Sequence, residues 1–415
     1  MSVTTPQFDS PAALRPLIRG RFLVFAGIVL VAFGLRSAAT AVSPILLTIE
    51  EDIPFDSFTF GLLGTLVPFT FAVIGAITPA LARRLGLEWS IIVAAGAIGL
   101  GEIARALSND TGSFLAWTFV SLAGTGVANV LLPPLVKKFF PDRIGGMSTI
   151  YVFIAVLGSA APAYLAAPVA SLADWRLSIA LWGYIAVLAL LPWIGQIIKE
   201  RGHATLLRQV SHTAVTGLVW RSTTAWAITV SFAIATFNCY IMWAWMPIML
   251  QERAGMSESE SGLMLALYTA MALPNSILVP FLLTRTKSAA PLIFFGVAVT
   301  IVGALGLWFL PTTLTWLWVI LSGFGAILFV ISLVLINLRT ASQSGAVALS
   351  GMTQGLGYLM GALGPLAIGV VHSLQGDNWT IAFIIIIASG LVGLFPLIVL
   401  RRSQMVDTPR EPVSR

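Results

Sequence analysis

The sequence predicts an all-α membrane protein whose twelve transmembrane helices form two six-helix repeats in the same orientation. Three observations support this fold class. The 415-residue chain is 58% hydrophobic and 10% charged, with a mean hydropathy of +0.94, which leaves too little polar surface for a soluble globule. Apolar segments of bilayer-spanning length, ~20 residues each, recur along the chain. Motifs of the first half also reappear in the second half.

The apolar segments define the individual helices. We predict membrane spans at residues 22–49, 57–81, 89–108, 113–139, 144–169, 176–198, 222–250, 259–284, 290–310, 313–337, 345–372 and 379–400. Positive charges fall in every second connection, such as Arg84, Lys138 and Arg285, whereas acids such as Glu51 and Glu258 occupy the alternate ones. The positive-inside rule therefore places both termini in the cytoplasm. This topology explains the net charge of +6, so we expect no nucleic-acid partner.

The two halves repeat in one order and at a nearly constant offset. Matched features are Pro44 with Pro247, Gly61 with Gly262, Pro79 with Pro280, Gly158–Pro162 with Gly361–Pro365, and the Asp-Trp pair at 174–175 with the Asp-Asn-Trp run at 377–379. The predicted organisation is a cytoplasmic N-terminal tail (1–21), a first six-helix half (22–198), a cytoplasmic linker (199–221), a second half (222–400) and a cytoplasmic C-terminal tail (401–415). The glycines and prolines of these motifs are expected to permit close helix approach, and the prolines to act as hinges.

Two parallel six-helix repeats are typical of transporters that bind a substrate near the bilayer midplane between the halves. The alternatives are a channel, a membrane enzyme or a non-transporting receptor. The sequence shows no metal-ligand cluster, nucleophile–base pair or phosphate-binding loop. We therefore predict a protein that is not an enzyme and needs no cofactor or metal.

Arg36 is the most informative residue, because it lies deep inside the first apolar run. A guanidinium in the bilayer costs at least ~2.5–3.5 kcal/mol, so such residues usually face a cavity, a partner or an anion. Helical spacing puts Thr40 and Ser43 on the same face. In the matching seventh span the corresponding face carries Trp243, with Asn238 and Tyr240 beside it. We expect these two faces to line one central cavity.

Other polar residues are further candidates for substrate contact. The predicted set is Arg36, Thr40, Asn129, Tyr151, Asn238, Tyr240, Trp243, Gln354 and Tyr358. For each one, a hydrogen bond between helices is the alternative interpretation.

Glu102 is the one carboxylate that falls clearly within a predicted span. It is a candidate proton carrier, and the alternative is a structural ion pair with Arg105, three residues later on the same helix, or with Arg36. His372, near the end of the eleventh span, is expected to be peripheral.

Several motifs resemble the cyanate/2-nitroimidazole (CynX/NimT-type) branch of the major facilitator superfamily. The resemblance is carried by Arg36–Pro44, Ala128–Pro141, Gly146–Tyr151 and Ser350–Pro365, and it runs through nearly the whole chain. It implies a bacterial inner-membrane transporter with a small substrate that is anionic or flat and polar.

Two departures from the general superfamily pattern qualify the resemblance. The charged loop at 79–88 has reversed polarity, with Arg83 where an acid belongs and Glu88 near where a base belongs. Any ion pairs that this cytoplasmic loop forms must therefore use other partners than in the general superfamily pattern. Val120 also occupies the position of the arginine in the motif common among proton antiporters.

Two functions remain open from the sequence. The first is a secondary transporter that moves a small anion or flat polar solute by alternating access, with Arg36 as the substrate anchor. The alternative is a proton-coupled efflux pump for nitroimidazole-like or other aromatic compounds, in which Glu102 titrates. In either case the expected partners are a small-molecule substrate, with or without a coupling ion, and the lipid bilayer, and the protein is expected to be a monomer.

Overall fold

The computed structural model describes residues 20–199, 218–285, 288–341, 343–375, 378–401 and 404–406. In these ranges twelve helices are long and apolar enough to cross a membrane, which confirms the predicted fold class. We number them as spans 1 to 12: Phe22–Glu50, Ser57–Ala82, Leu87–Ala106, Thr111–Phe139, Gly146–Leu172, Trp175–Lys199, Thr223–Ala254, Glu258–Leu283, Ala290–Phe309, Thr315–Leu338, Ala348–Leu374 and Thr380–Val399. Most of the predicted tails and linker, 1–19, 200–217 and 407–415, lies outside the described residues.

Some spans are continuous helices and others are interrupted. The continuous helices are Ser57–Leu85, Leu87–Ala106, Thr111–Phe139, Ile144–Leu172, Thr223–Ala254, Ala290–Phe309 and Gln343–Gln375. The interrupted spans comprise Trp175–Leu188 and Leu190–Lys199; Glu258–Ala270 and Ala272–Arg285; Thr315–Phe324 and Ile327–Leu338; and Thr380–Val392 and Leu394–Val399. Span 1 departs most from the expected continuous helix. It consists of Phe22–Gly34, Ser37–Thr40, a 3-10 turn at Ser43–Ile45, and Leu46–Glu50.

The two ends of the helix bundle differ in charge. We call the end that carries Asp56, Asp110 and Glu258 the acidic end, and the end that carries Arg21 and Lys138 the basic end. Asp56 and Asp110 begin spans 2 and 4 as N-caps, where acidic side chains accept hydrogen bonds from free backbone N–H groups. Hydrogen bonds from Thr59 lower the pKa of Asp56, and hydrogen bonds from Ser113 lower that of Asp110.

The internal repeat extends to individual contacts at the acidic end. In the first half, the indole N–H of Trp175 donates to Asp52 Oδ2 at 2.9 Å. In the second half, the indole N–H of Trp379 donates to Glu252 Oε2 at 2.7 Å. Each half thus ties the start of its last helix to a carboxylate at the acidic end of its first span: Asp52 follows span 1, and Glu252 lies in the last turn of span 7. The matched tryptophans identified in the sequence therefore have matching structural roles.

At the basic end, ion pairs hold helices of the first half together. Arg21 pairs with Asp142 at 2.6 Å, and this hydrogen-bonded carboxylate raises the pKa of Arg21. Lys138 donates to Glu88, the acid of the reversed loop. The structure thus pairs Glu88 with a lysine of span 4, and the side chain of Arg83 lies outside what the structure describes.

The halves meet closely near the acidic end, where spans 2 and 11 cross on glycines. A Cβ atom added to Gly61 would lie 2.8 Å from the carbonyl oxygen of Pro365 and 2.9 Å from the Cα of Gly369. Spans 5 and 8 approach similarly, since a Cβ on Gly262 would lie 2.5 Å from the carbonyl oxygen of Ala163. These separations are shorter than side chains tolerate, so glycine is required for this closure.

Hydrogen bonds reinforce the contact between the halves. Thr65 donates to the carbonyl oxygen of Ala362 at 2.9 Å, and Thr48 donates to Glu258 at 2.8 Å. His372 lies 2.8 Å from the hydroxyl of Ser57 and 3.2 Å from Glu252. His372 thus lies at the acidic end, where it contacts both halves, and it does not line the cavity described below.

The glycine crossing makes a testable prediction about closure. We expect Gly61→Ala to loosen the acidic end, because overpacking a tight contact costs about 1–3 kcal/mol. The probe is Ala39→Cys, in the lining of the cavity described below, in a Cys239→Ser background. In detergent this cysteine should be alkylated about tenfold faster, or more, when Gly61 is replaced by alanine than when Gly61 is kept.

The control is Gly96→Ala, since a Cβ at Gly96 meets nothing within 4 Å. Equal alkylation rates in the Gly61 and Gly96 variants would show that the glycine crossing does not hold the acidic end closed.

Candidate functional site

Span 1 unwinds at Arg36. The first helix ends at Gly34, a one-turn helix runs from Ser37 to Thr40, and Arg36 between them has φ −135° and ψ 0°. A second break separates Thr40 from the 3-10 turn that begins at Ser43. Inside a bilayer, irregular backbone is tolerated only where protein or a cavity satisfies its polar groups. The double break is therefore the first structural sign of a functional site.

Local sequence explains part of the break. Pro44 has no N–H, so it cannot bond to the carbonyl of Thr40 four residues earlier, and its ring crowds that carbonyl. The hydroxyl of Thr40 donates to the carbonyl oxygen of Arg36 at 3.1 Å, and Ser37 donates to Gly34 at 3.3 Å. Such bonds compete with regular helical pairing. Proline alone is insufficient, since the matching Pro247 lies inside the continuous helix Thr223–Ala254.

The guanidinium of Arg36 is only partly buried. Its Cζ lies 5.2 Å from the ring centroid of Trp243, a distance within the range of cation–π attraction. Among the described residues the guanidinium makes no hydrogen bond or ion pair. Cys239, Tyr240 and Tyr358 lie close enough to Arg36 to interact with its charge. Arg36 is thus a membrane-embedded cation without a carboxylate partner in the described ranges.

Aromatic rings form the wall opposite Arg36. Tyr240 packs edge-on against Trp243 with ring centroids 5.5 Å apart, and Tyr358 lies 6.4 Å from Tyr240. Trp243 is 5% exposed, and its indole N–H is buried without a hydrogen-bond partner in the described chain. Buried donors are normally satisfied. The Trp243 indole N–H is therefore available to an acceptor from outside the described chain, as are the buried indole N–H groups of Trp182 and Trp193.

A cavity adjoins this wall between spans 1, 2, 4 and 7. In this conformation it is small, with a volume of about 20 Å³ open to the centre of a water molecule. Trp243 and Ser43 line it together with Ala39, Phe60 and Leu63. The hydroxyl of Ser43 donates to the carbonyl oxygen of Trp243 at 2.7 Å, which ties span 1 of one half to span 7 of the other. The lining is mostly apolar, a common feature of small-molecule sites.

The remaining charges in the middle of the first half pair with each other. Arg105 contacts Glu102 Oε2 at 2.5 Å, and both side chains are fully buried. Glu102 also accepts hydrogen bonds from Ser37 at 3.4 Å and from Ser121 at 3.3 Å. Arg105 donates to the carbonyl oxygen of Ala38 at 3.1 Å. The ion pair is therefore with Arg105, and Arg36 is left free of it.

Comparison with known proteins identifies the family to which this fold belongs. A model of the Major Facilitator Superfamily matches residues 25–365. The chain belongs to the major facilitator superfamily. It is accordingly a multi-pass membrane transporter and not an enzyme.

Similar proteins carry names of the CynX/NimT type. The transporter is 31% identical to the 2-nitroimidazole transporter of Escherichia coli (strain K12) over 385 residues, 91% of this chain and 95% of that protein. It is 30% identical to the uncharacterized transporter YycB of Bacillus subtilis (strain 168) over 375 residues, 89% and 91% of the two chains. It is 25% identical to the cyanate transport protein CynX of Escherichia coli (strain K12) over 357 residues, 84% and 90%. The resemblance found in the motifs is confirmed.

Solved structures support the fold. The nucleoside transporter NupG has a TM-score of 0.72 at 14% identity, with 92% of this chain and 99% of that chain covered. A bacterial homologue of the human lysosomal transporter Spinster, in an inward-facing and unoccupied conformation, has a TM-score of 0.71 at 14% identity, with 93% and 96% covered. At this identity the likeness concerns the major facilitator fold alone.

The other predicted site residues of this superfamily member have varied surroundings. Asn238 donates to Ser389 and to the carbonyl oxygen of Ile234, both at 2.9 Å. Gln354 donates to Ser350 in the same helix at 2.7 Å. Asn129 and Tyr151 are partly buried. Their side chains make no hydrogen bond to the described residues. Substrate contact by these four residues stays a prediction.

Sequence reasoning missed several parts of the site. Phe60 and Leu63 of span 2 form part of the cavity wall, although their apolar side chains carry no signal in a hydrophobic span. Ser37 and Ser121 bind Glu102, and only the three-dimensional approach of three helices brings them together. The break itself had one local signal, the cluster of Ser and Thr before Pro44.

The transporter's Asn238–Ser389 contact generates a prediction about stability. We expect Asn238→Ala and Ser389→Ala each to lower the free energy of unfolding. In a double-mutant cycle the two changes should couple by about 0.6–1.7 kcal/mol, the range for hydrogen bonds between membrane helices. Denaturant titration in detergent measures this coupling. Additive effects of the two substitutions would contradict a structural role for Asn238.

Proposed function

We propose that this transporter moves a small organic or inorganic anion and that Arg36 anchors its negative group. One observation carries the proposal: the Arg36 guanidinium lies over the Trp243 ring, and neither the guanidinium nor the Trp243 indole N–H has a hydrogen-bond partner among the described residues. A guanidinium can bind an oxyanion through two parallel hydrogen bonds. An anion would therefore satisfy both donors and offset the cost of holding a cation in the membrane.

The surroundings of Arg36 favour an anion over a cation. The carboxylate of Glu102 is occupied by Arg105 and two serines. The cavity next to Trp243 is lined by apolar and weakly polar residues, and none of its lining residues is acidic. A cationic substrate would thus meet a like charge without compensation. A small anion with a flat or apolar body fits these surroundings.

The charge distribution supports an orientation for transport. We propose that the basic end faces the cytoplasm, because Lys and Arg are enriched in cytoplasmic connections. Both termini are then cytoplasmic, and we propose the inner membrane as the location. The glycine crossing closes the acidic end in this conformation, so Arg36 would be separated from the outside. Alternating access would require this crossing to open.

A second candidate function is efflux of nitroimidazole-like or other aromatic compounds. It is favoured by the relative named 2-nitroimidazole transporter and by the aromatic wall of Tyr240, Trp243 and Tyr358. In this version Glu102 would carry the coupling proton. The full burial of Glu102 and its contact with Arg105 favour the first candidate. The coupling ion and the monomeric state stay predictions.

A ligand screen tests the proposed anion site. The screen contains cyanate, nitrate, acetate, benzoate and 4-hydroxybenzoate. We expect at least one of these anions to raise the unfolding temperature of the purified transporter. Arg36→Ala should weaken binding of the stabilising anion by about tenfold or more, since a hydrogen bond to a charged group is worth about 1.5–3 kcal/mol. Arg36→Lys should retain an intermediate affinity, because an ammonium loses the bidentate geometry.

The control is Arg285→Ala, which removes an exposed cation at the basic end and should leave binding unchanged. The proposal fails if Arg36→Ala binds the anion as tightly as the wild type. Stabilisation by neutral 2-nitroimidazole alone, retained in Arg36→Ala, would favour the second candidate function.

A further inference from the structure

We propose that the buried Glu102–Arg105 pair is a positioning device that holds both ends of the one-turn helix Ser37–Thr40 and thereby orients Arg36. The inference rests on the proposed function in so far as Arg36 is the substrate anchor. It assigns to span 3 a part in the substrate site, although neither residue of the pair contacts the cavity beside Trp243.

The pair holds the beginning of the short helix through Glu102. Ser37 is the first residue of that helix, and its one hydroxyl proton is shared between Glu102 Oε1 at 3.4 Å and the carbonyl oxygen of Gly34 at 3.3 Å. The other carboxylate oxygen is occupied by Arg105 at 2.5 Å. Because Ser37 follows Arg36 directly, this contact restrains the peptide unit that carries the guanidinium. A shift of this segment would move Arg36 relative to Trp243.

The pair holds the end of the short helix through Arg105. In an unbroken helix the carbonyl of Ala38 would accept from the N–H of residue 42. The helix ends at Thr40, so that carbonyl loses its helical donor. Arg105 Nη1 donates to it at 3.1 Å in place of the backbone. An unsatisfied carbonyl costs several kilocalories in a bilayer, so the second break depends on this arginine.

The internal repeat provides a comparison within the same molecule. Span 7 matches span 1 and also contains a proline, Pro247, yet it is a continuous helix. Span 9, the counterpart of span 3, covers Ala290–Phe309 and contains no charged residue. The half with the ion pair therefore has the broken helix, and the half without the pair has the intact one. This correlation is expected if the pair stabilises the break.

Stability alone does not explain two fully buried charges. Desolvation usually cancels the attraction of a buried ion pair, and apolar residues of similar volume are often as stable. A pair that completes the hydrogen bonds of a broken helix has a separate use, because no apolar residue can replace those bonds. Glu102 then acts through geometry and needs no change of protonation during transport.

Hydrogen–deuterium exchange tests the positioning role without any substrate. Ser37 and Ser121 donate to the same oxygen of Glu102 at nearly equal distances, but only Ser37 belongs to span 1. We expect Ser37→Ala to speed amide exchange in residues 36–42 about tenfold, whereas Ser121→Ala, the matched control, leaves it within about threefold of wild type. The double variant Glu102→Met/Arg105→Met should speed exchange there further.

Binding measurements complete the test. The double variant should bind the stabilising anion of the screen at least about tenfold more weakly, whereas Ser121→Ala, which leaves span 1 and the ion pair intact, should keep the wild-type affinity. Unchanged exchange at residues 36–42 in the double variant overturns the inference, as does faster exchange with unchanged anion affinity. If exchange is faster but neither the wild type nor any variant binds an anion, the positioning role of the Glu102–Arg105 pair would be supported and the anion function would be refuted.

Discussion

The structure depends on one constraint, the requirement that every backbone polar group inside a membrane has a partner. Span 1 breaks twice around Arg36, and each break releases backbone groups that a helix would have satisfied. Arg105 supplies a replacement hydrogen bond to the carbonyl oxygen of Ala38. The break exposes a guanidinium toward Trp243 instead of burying it among carboxylates. The charge, its location and its lack of a partner thus have a common structural origin.

The two repeats share a fold but contribute different chemistry to their interface. The first half provides the cation and its buried support, and the second provides a continuous helix with an aromatic face. Ser43 joins the two faces through the carbonyl of Trp243, and the glycine crossing of Gly61 with Gly369 closes one end. A substrate held between Arg36 and Trp243 would therefore contact both halves. Such contact is required if substrate binding is to bias the rocking of one half against the other.

Much of the fold was predictable because its signals are local or periodic. Hydrophobic length predicted the twelve spans, and matched prolines and glycines predicted the repeat. The repeat in turn matched the face of span 1 that carries Arg36 with the face of span 7 that carries Trp243. The break was missed because Pro44 and Pro247 look alike in sequence, and the difference between them lies in a neighbouring span. The pairing of Asn238 with Ser389 likewise depends on a contact between distant helices.

An experimental structure with a bound anion tests the central claim most directly. The anion that most raises the unfolding temperature would be added before crystallisation or cryo-electron microscopy. The account predicts ligand density within hydrogen-bond distance of the Arg36 guanidinium, beside Trp243, with span 1 still broken at residues 35–36 and 41–42. Density elsewhere in the interface, together with Arg36 paired to a carboxylate of the protein, would contradict it.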